Sequence, residues 1–101
     1  MAPYSDEGTE DIAISSSLSI WPNPNDGSTL GLALAHFDPS LNVVTMDVTD
    51  VYGKLVESRN VPVQDGSLNT SIAFEHVLAP GLYLVHLQAG SERHTERLVI
   101  E

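Results

Sequence analysis

The chain has no cysteine, so disulfide scaffolds, zinc knuckles and thiol catalysis are all excluded. It has little positive charge: four Lys and Arg stand against 14 Asp and Glu in 101 residues, a formal net charge of −10. Nucleic-acid binding needs clustered bases to neutralise phosphate, and polybasic attachment to an anionic membrane needs the same. Neither class fits. No apolar run approaches the roughly 18–20 residues of a membrane-spanning helix, and the opening Met1-Ala2-Pro3-Tyr4-Ser5-Asp6-Glu7 has neither the basic nor the apolar region of a signal peptide. Direct membrane insertion is not expected.

The acids are distributed unevenly. Residues 1–50 carry eight acids and no base, whereas residues 51–101 carry six acids and all four bases. Half of the first group (Asp6, Glu7, Glu10 and Asp11) falls in residues 1–17, where Gly8 and Ser15-Ser16-Ser17 leave only Ile12 and Ile14 as sizeable aliphatics. Such a segment buries too little apolar surface to offset the entropy of ordering it. Residues 1–17 are expected to be an acidic flexible linker, and residues 18–101 one domain.

From Leu18 the pattern is period two, broken by turn residues. Leu30, Leu32 and Leu34 share one face, as do Val44, Met46 and Val48, and Leu68, Thr70, Ile72 and Phe74. Trp21-Pro22-Asn23-Pro24-Asn25-Asp26-Gly27 is turn chemistry, as are Asp50 to Gly53, Leu78 to Gly81 and Ala89-Gly90-Ser91. Gln64-Asp65-Gly66-Ser67 reads as a hairpin turn. Leu55 to Val63, interrupted by Pro62, suits an edge strand, and the apolar run Leu82 to Leu87 suits a central strand covered on both faces. About seven strands and no amphipathic helix predict an all-β fold, an Ig-like antiparallel sandwich with Greek-key connections.

Candidate chemistry is sparse. Of the histidines at 36, 76, 86 and 94, only His86 and His94 can be adjacent, across the last hairpin and only with the right turn length, which is at best half a metal site; surface histidines on strands are the better reading. Asn23, Asn25, Asp26 and Gly27 resemble fragments of a calcium loop without its acidic spacing, so a structural turn is the better reading. No nucleophile elbow, paired carboxylates or phosphate cradle is present, so no enzyme and no cofactor are expected. Trp21, Tyr52 and Tyr83 are expected to pack at strand ends, a carbohydrate-stacking surface being the alternative.

The motifs taken in order are more specific. Leu18-Ser19-Ile20-Trp21-Pro22-Asn23-Pro24 with Gly27 resembles the opening of the C-terminal sorting domains of the type IX (Por) secretion system, type A. Val48-Thr49-Asp50-Val51-Tyr52-Gly53-Lys54-Leu55-Val56 is similar to that family's central turn, and Leu78-Ala79-Pro80-Gly81-Leu82-Tyr83-Leu84-Val85 to its Gly-x-Tyr segment. Arg93 to Glu101 matches its basic-then-apolar ending, with Trp21 in place of the usual Tyr and Arg97 where Lys is commoner. Four motifs in order across residues 18–101 make the resemblance strong.

The resemblance implies a signal rather than a catalyst. Such domains end cargo proteins that cross the inner membrane of a Gram-negative bacterium with a separate signal peptide and pass through the periplasm. A translocon and shuttle receptor at the outer membrane recognise the folded domain, and a cell-surface sortase removes it, the cargo being released or anchored. By position, the recognition and turn residues are Pro22, Asn23, Pro24, Gly27, Gly53, Lys54, Gly81 and Tyr83, and the C-terminal signal is Arg97, Leu98, Val99, Ile100 and Glu101. A terminal strand is open to strand addition or to a carboxylate pocket, and edge strands offer weak pairing between copies. The lack of signal peptide and cargo is expected of an excised domain with an added methionine. The runner-up is a generic Ig-like or fibronectin-like adhesion or carbohydrate-binding module.

Overall fold

The computed structural model describes residues 18–101; the expected acidic linker, 1–17, lies outside the described residues. Seven strands are present among them: β1 Ser19–Trp21, β2 Thr29–Ala35, β3 Val43–Asp50, β4 Leu55–Pro62, β5 Ser67–Ala73, β6 Gly81–Ala89 and β7 Glu92–Ile100. All pairings between them are antiparallel, in one sheet of order β1-β2-β5 and another of order β4-β3-β6-β7. The chain passes between sheets at β2–β3, β4–β5 and β5–β6. These are the Greek-key connections of an Ig-like sandwich, as the sequence predicts.

Alternation decides which face of each strand is buried. Leu30 and Leu32 of β2 face Val44, Met46 and Val48 of β3, Val85 and Leu87 of β6 and Leu98 of β7, all at most 1% exposed. Each such side chain contributes about 1.5–3 kcal/mol on leaving water. Leu18, just before β1, and Phe74, just after β5, close the core. Phe74 is no longer in the ladder; its N–H donates to the Ser28 carbonyl (2.9 Å).

Two local readings need correction. The Leu82–Leu87 run is central in its sheet but not covered on both faces: Tyr83, Val85 and Leu87 point inward, while Leu82 is exposed and Leu84 half-buried. A two-layer sandwich covers only one side of each sheet, and among the described residues no third layer lies over β6. The Gln64–Ser67 turn has hairpin-like backbone, Asp65 and Gly66 both at positive φ, yet it leads from β4 in one sheet to β5 in the other.

Pro62 does mark an edge, and β4 is fixed there by charge. Glu57 is buried and accepts from Arg59 Nη2 and from the Glu75 N–H (3.3 Å). Arg59 Nη2 also donates to the Ala73 carbonyl (2.9 Å) at the end of β5, linking the edges of the two sheets.

Candidate recognition site

The four sequence motifs, 79 positions apart from first to last (Pro22 to Glu101), meet at one end of the sandwich. β3 ends there at Asp50 opposite Tyr83, and β6 begins there at Gly81 opposite Ile100, where β7 ends. The β1–β2 loop closes the group through a parallel bridge between Asn25 and Ile100.

That loop behaves as a substitute strand along the outer edge of β7. The Asn23 carboxamide donates to the Arg97 carbonyl (2.8 Å) and accepts the Val99 N–H (3.0 Å), as a neighbouring backbone would. Asn25 continues the ladder with its own backbone: its N–H donates to the Val99 carbonyl (2.8 Å), and its carbonyl accepts the Glu101 N–H (2.9 Å). The loop's shape comes from the buried Asn25 side chain. Nδ2 donates to the carbonyls of Pro22 (3.1 Å) and Thr29 (2.8 Å), while Oδ1 accepts the Gly27 N–H (2.6 Å). Pro22 and Pro24 supply rings without an N–H, both after cis peptide bonds.

Gly27 joins this loop to the third motif. Its carbonyl accepts the Leu78 N–H (3.1 Å), and at φ +87° a Cβ would lie 2.6 Å from the Leu78 carbonyl oxygen. Only glycine meets both conditions without movement. In the second motif Asp50 organises the turn: Oδ1 accepts the N–H groups of Tyr52 and Lys54, both at 2.9 Å. Gly53 adopts φ +87°. Tyr83 is buried and donates its hydroxyl to the Ala79 carbonyl (2.7 Å), fixing the third motif's turn.

The terminal residues divide by strand alternation. Leu98 and Ile100 lie in the core, while Arg97, Val99 and Glu101 are exposed. Arg97 stands opposite Leu84 and Val99 opposite Leu82. Of the four bases, Arg59 is ion-paired with Glu57, whereas Lys54, Arg93 and Arg97 have no carboxylate within 4.0 Å among the described residues. Asp50, Leu82 and Leu84 are not among the recognition residues read from the sequence, and Asn25 enters there only as part of a calcium-like loop. Asn25 had a signal in its position between Pro24 and Gly27, but the outward leucines look like core residues in a sequence.

Among the remaining candidates, the two histidines do not meet. His86 pairs with Thr95 and His94 with Leu87, so the two imidazoles lie on opposite faces of the sheet. His86 instead bridges Thr49 Oγ1 (Nε2, 3.1 Å) and Thr95 Oγ1 (Nδ1, 3.0 Å). Burial, and then the Arg93 charge, lower its pKa against the opposing influence of Asp47. The calcium-loop oxygens are committed to the chain itself: those of Asn23 and Asn25 as above, and Asp26 Oδ1 to Ser28 N–H (2.9 Å) and Oγ (2.6 Å). These bonds hold the Asp26 pKa below its ordinary value. Of the aromatics expected to pack, Tyr83 does so, Trp21 lies over Gly31 but stays 41% exposed, and Tyr52 is 92% exposed.

No match was found among curated proteins. Residues 19–101 match the family described as the secretion system C-terminal sorting domain, a span that contains every strand among the described residues and all four motifs except the opening Leu18. Its members are sorting signals of the type IX system rather than catalysts, which implies contact with secretion machinery and export to the cell surface or beyond. The chain belongs to the type IX secretion system C-terminal sorting domain family.

Proposed function

We propose that residues 18–101 act without catalysis as the address of a cargo protein, behind an acidic linker formed by residues 1–17. The cargo reaches the periplasm by a separate signal peptide, and a translocon with its shuttle receptor reads the folded domain at the outer membrane. A cell-surface sortase then removes the domain, and the cargo is released or anchored. The convergence of the four motifs on the end of β7 supports this reading above all: the β1–β2 loop is built around Arg97 to Glu101. Pro22, Asn23, Pro24, Gly27, Gly53, Gly81 and Tyr83 serve as the frame, and Lys54, Arg97, Val99 and Glu101 as the part presented, on a strand that Leu98 and Ile100 anchor in the core.

The test is a reporter placed behind a signal peptide and carrying residues 1–101 at its C-terminus, in a host with the type IX system. The reporter should reach the medium or cell surface, and deletion of Arg97 to Glu101 should leave it in the periplasm. Undiminished secretion of the deletion variant overturns the terminal-signal role. The exposure of Tyr52 and Trp21 favours one competing reading, a glycan-binding module. That module would bind glycans through those rings and tolerate the deletion.

A further inference from the structure

Two ways of reading a terminal strand are open in general: through its backbone edge or through its side chains. Along Arg97 to Glu101 the edge is already occupied, because the Arg97 and Val99 carbonyls and the Val99 and Glu101 N–H groups bond to Asn23 and Asn25. Strand addition there would have to displace the loop. Alternation along β7 turns the backbone groups of Arg93 and Thr95 to the same side, beyond the loop's reach, so only that upstream stretch remains available as an edge.

The side chains on the outer face of this sheet are sorted by height. Toward the end where β3 and β4 begin and finish away from the motifs, the face is polar: Asn60, Thr45, Gln88 and Arg93 form one cross-strand row, and Ser58, Asp47, His86 and Thr95 the next. Toward the motif end it becomes apolar. Leu55, Thr49, Leu84 and Arg97 form a row, followed by Leu82 and Val99, and a register shift at Val48/Thr49 leaves Val56 exposed beside Leu55. Arg97 is therefore a cation set in an apolar field, with no carboxylate within 4.0 Å among the described residues, on a chain of net charge −10.

Resting on the sorting function proposed above, the geometry points to the outer face formed by Leu82, Leu84, Arg97 and Val99, extended by Leu55 and Val56, as the surface that is read. Its partner is a protein that presents apolar side chains bordered by a carboxylate for Arg97. Charge selects this occupant. A second copy would bring a strongly acidic molecule against its own kind, and an anionic lipid surface would repel the same net charge. The clasp by Asn23 and Asn25 positions this face; it does not touch the partner.

The test uses the reporter carrying the full chain, with the variants Leu84→Thr, Val99→Thr, Arg97→Glu, Arg97→Lys and Thr95→Pro. Leu84→Thr, Val99→Thr and Arg97→Glu should each lower export about ten-fold, the scale of losing one interface anchor. Arg97→Lys should retain most export, and Thr95→Pro should export normally. The purified variants should melt within about 5 °C of the native chain. Native export from the three damaging variants, or a block by Thr95→Pro alone, overturns the proposal in favour of edge recognition. A dimer in sedimentation velocity that Leu84→Thr dissolves would assign the face to a second copy. Binding to anionic phospholipid vesicles that Arg97→Glu abolishes would assign it to lipid. Either result also overturns the proposal. If the unsubstituted chain itself fails to export the reporter, the sorting function falls instead.

Discussion

The side-chain oxygen of Asn23 accepts the backbone N–H of Val99 at 3.0 Å, across 76 positions of sequence. The same carboxamide donates to the Arg97 carbonyl, so one side chain completes the edge of β7 in the manner of a strand. Asn23→Ala removes both bonds at an exposed site and should cost about 1 kcal/mol, lowering the melting temperature by roughly 5 °C. Hydrogen exchange identifies the cause: the Val99 amide should exchange faster, while amides of β2 and β3 keep their rates. Asn23→Asp retains the acceptor but not the donor, and should leave Val99 better protected than alanine does. Equal protection in all three chains would show that the clasp does not hold the strand.

Asn25 carries more of the loop than Asn23. Its side chain is buried and satisfies two carbonyls and one N–H. Asn25→Ala leaves these groups without their partner and should cost about 2–4 kcal/mol, or roughly 10–20 °C in melting temperature. The backbone bridge from Asn25 to Val99 and Glu101 should loosen as well, seen as faster exchange at Glu101. A melting temperature within about 3 °C of native would mean that water replaces the carboxamide.

The legibility of this molecule differs between core and clasp. The leucines of β2 and the Val44-Met46-Val48 set of β3 announce their face by alternation, because burial on one side of a strand imposes period two. The clasp leaves no such trace. Pro22-Asn23-Pro24 reads correctly as a turn, but a carboxamide imitating a strand neighbour has no periodicity, and its partner lies at the far end of the chain. Leu82 and Leu84 misled for another reason: an apolar run looks the same whether its second face is covered or displayed. The histidine pairing depended on turn length. With only Gly90 and Ser91 between β6 and β7, His86 falls opposite Thr95, and His94 turns to the other face.

At the opposite edge, Arg59 is ion-paired with the buried Glu57. Arg59→Ala leaves that carboxylate with the Glu75 N–H at 3.3 Å as its remaining bond among the described residues. It also frees the Ala73 carbonyl. The expected cost is about 2 kcal/mol, at the lower end for breaking a buried pair because the Arg59 side chain is 34% exposed. Replacing both residues by leucine should recover most of that loss, since a buried pair and an apolar pair of similar volume are often close in stability. Urea unfolding of the two single variants and the double variant measures the coupling; additive losses would mean that the two side chains act independently.

His86 gives the outer face a pH dependence with a definite sign. Partial burial and then Arg93 lower its pKa from the ordinary 6.5, while Asp47, opposite it on β3, pulls the other way. The unfolded chain therefore binds a proton more readily than the folded one. The stability associated with this ring is present above about pH 6.5 and is lost as the pH falls through the folded value, flattening below it. The native chain should lose more melting temperature between pH 7 and pH 5 than His86→Gln does, and comparing the two cancels His36, His76 and His94. An NMR titration supplies the cause. Arg93→Gln should move the His86 midpoint up toward its ordinary value, and Asp47→Asn should move it further down. Midpoints unchanged in both variants would show that neither charge is felt at the ring.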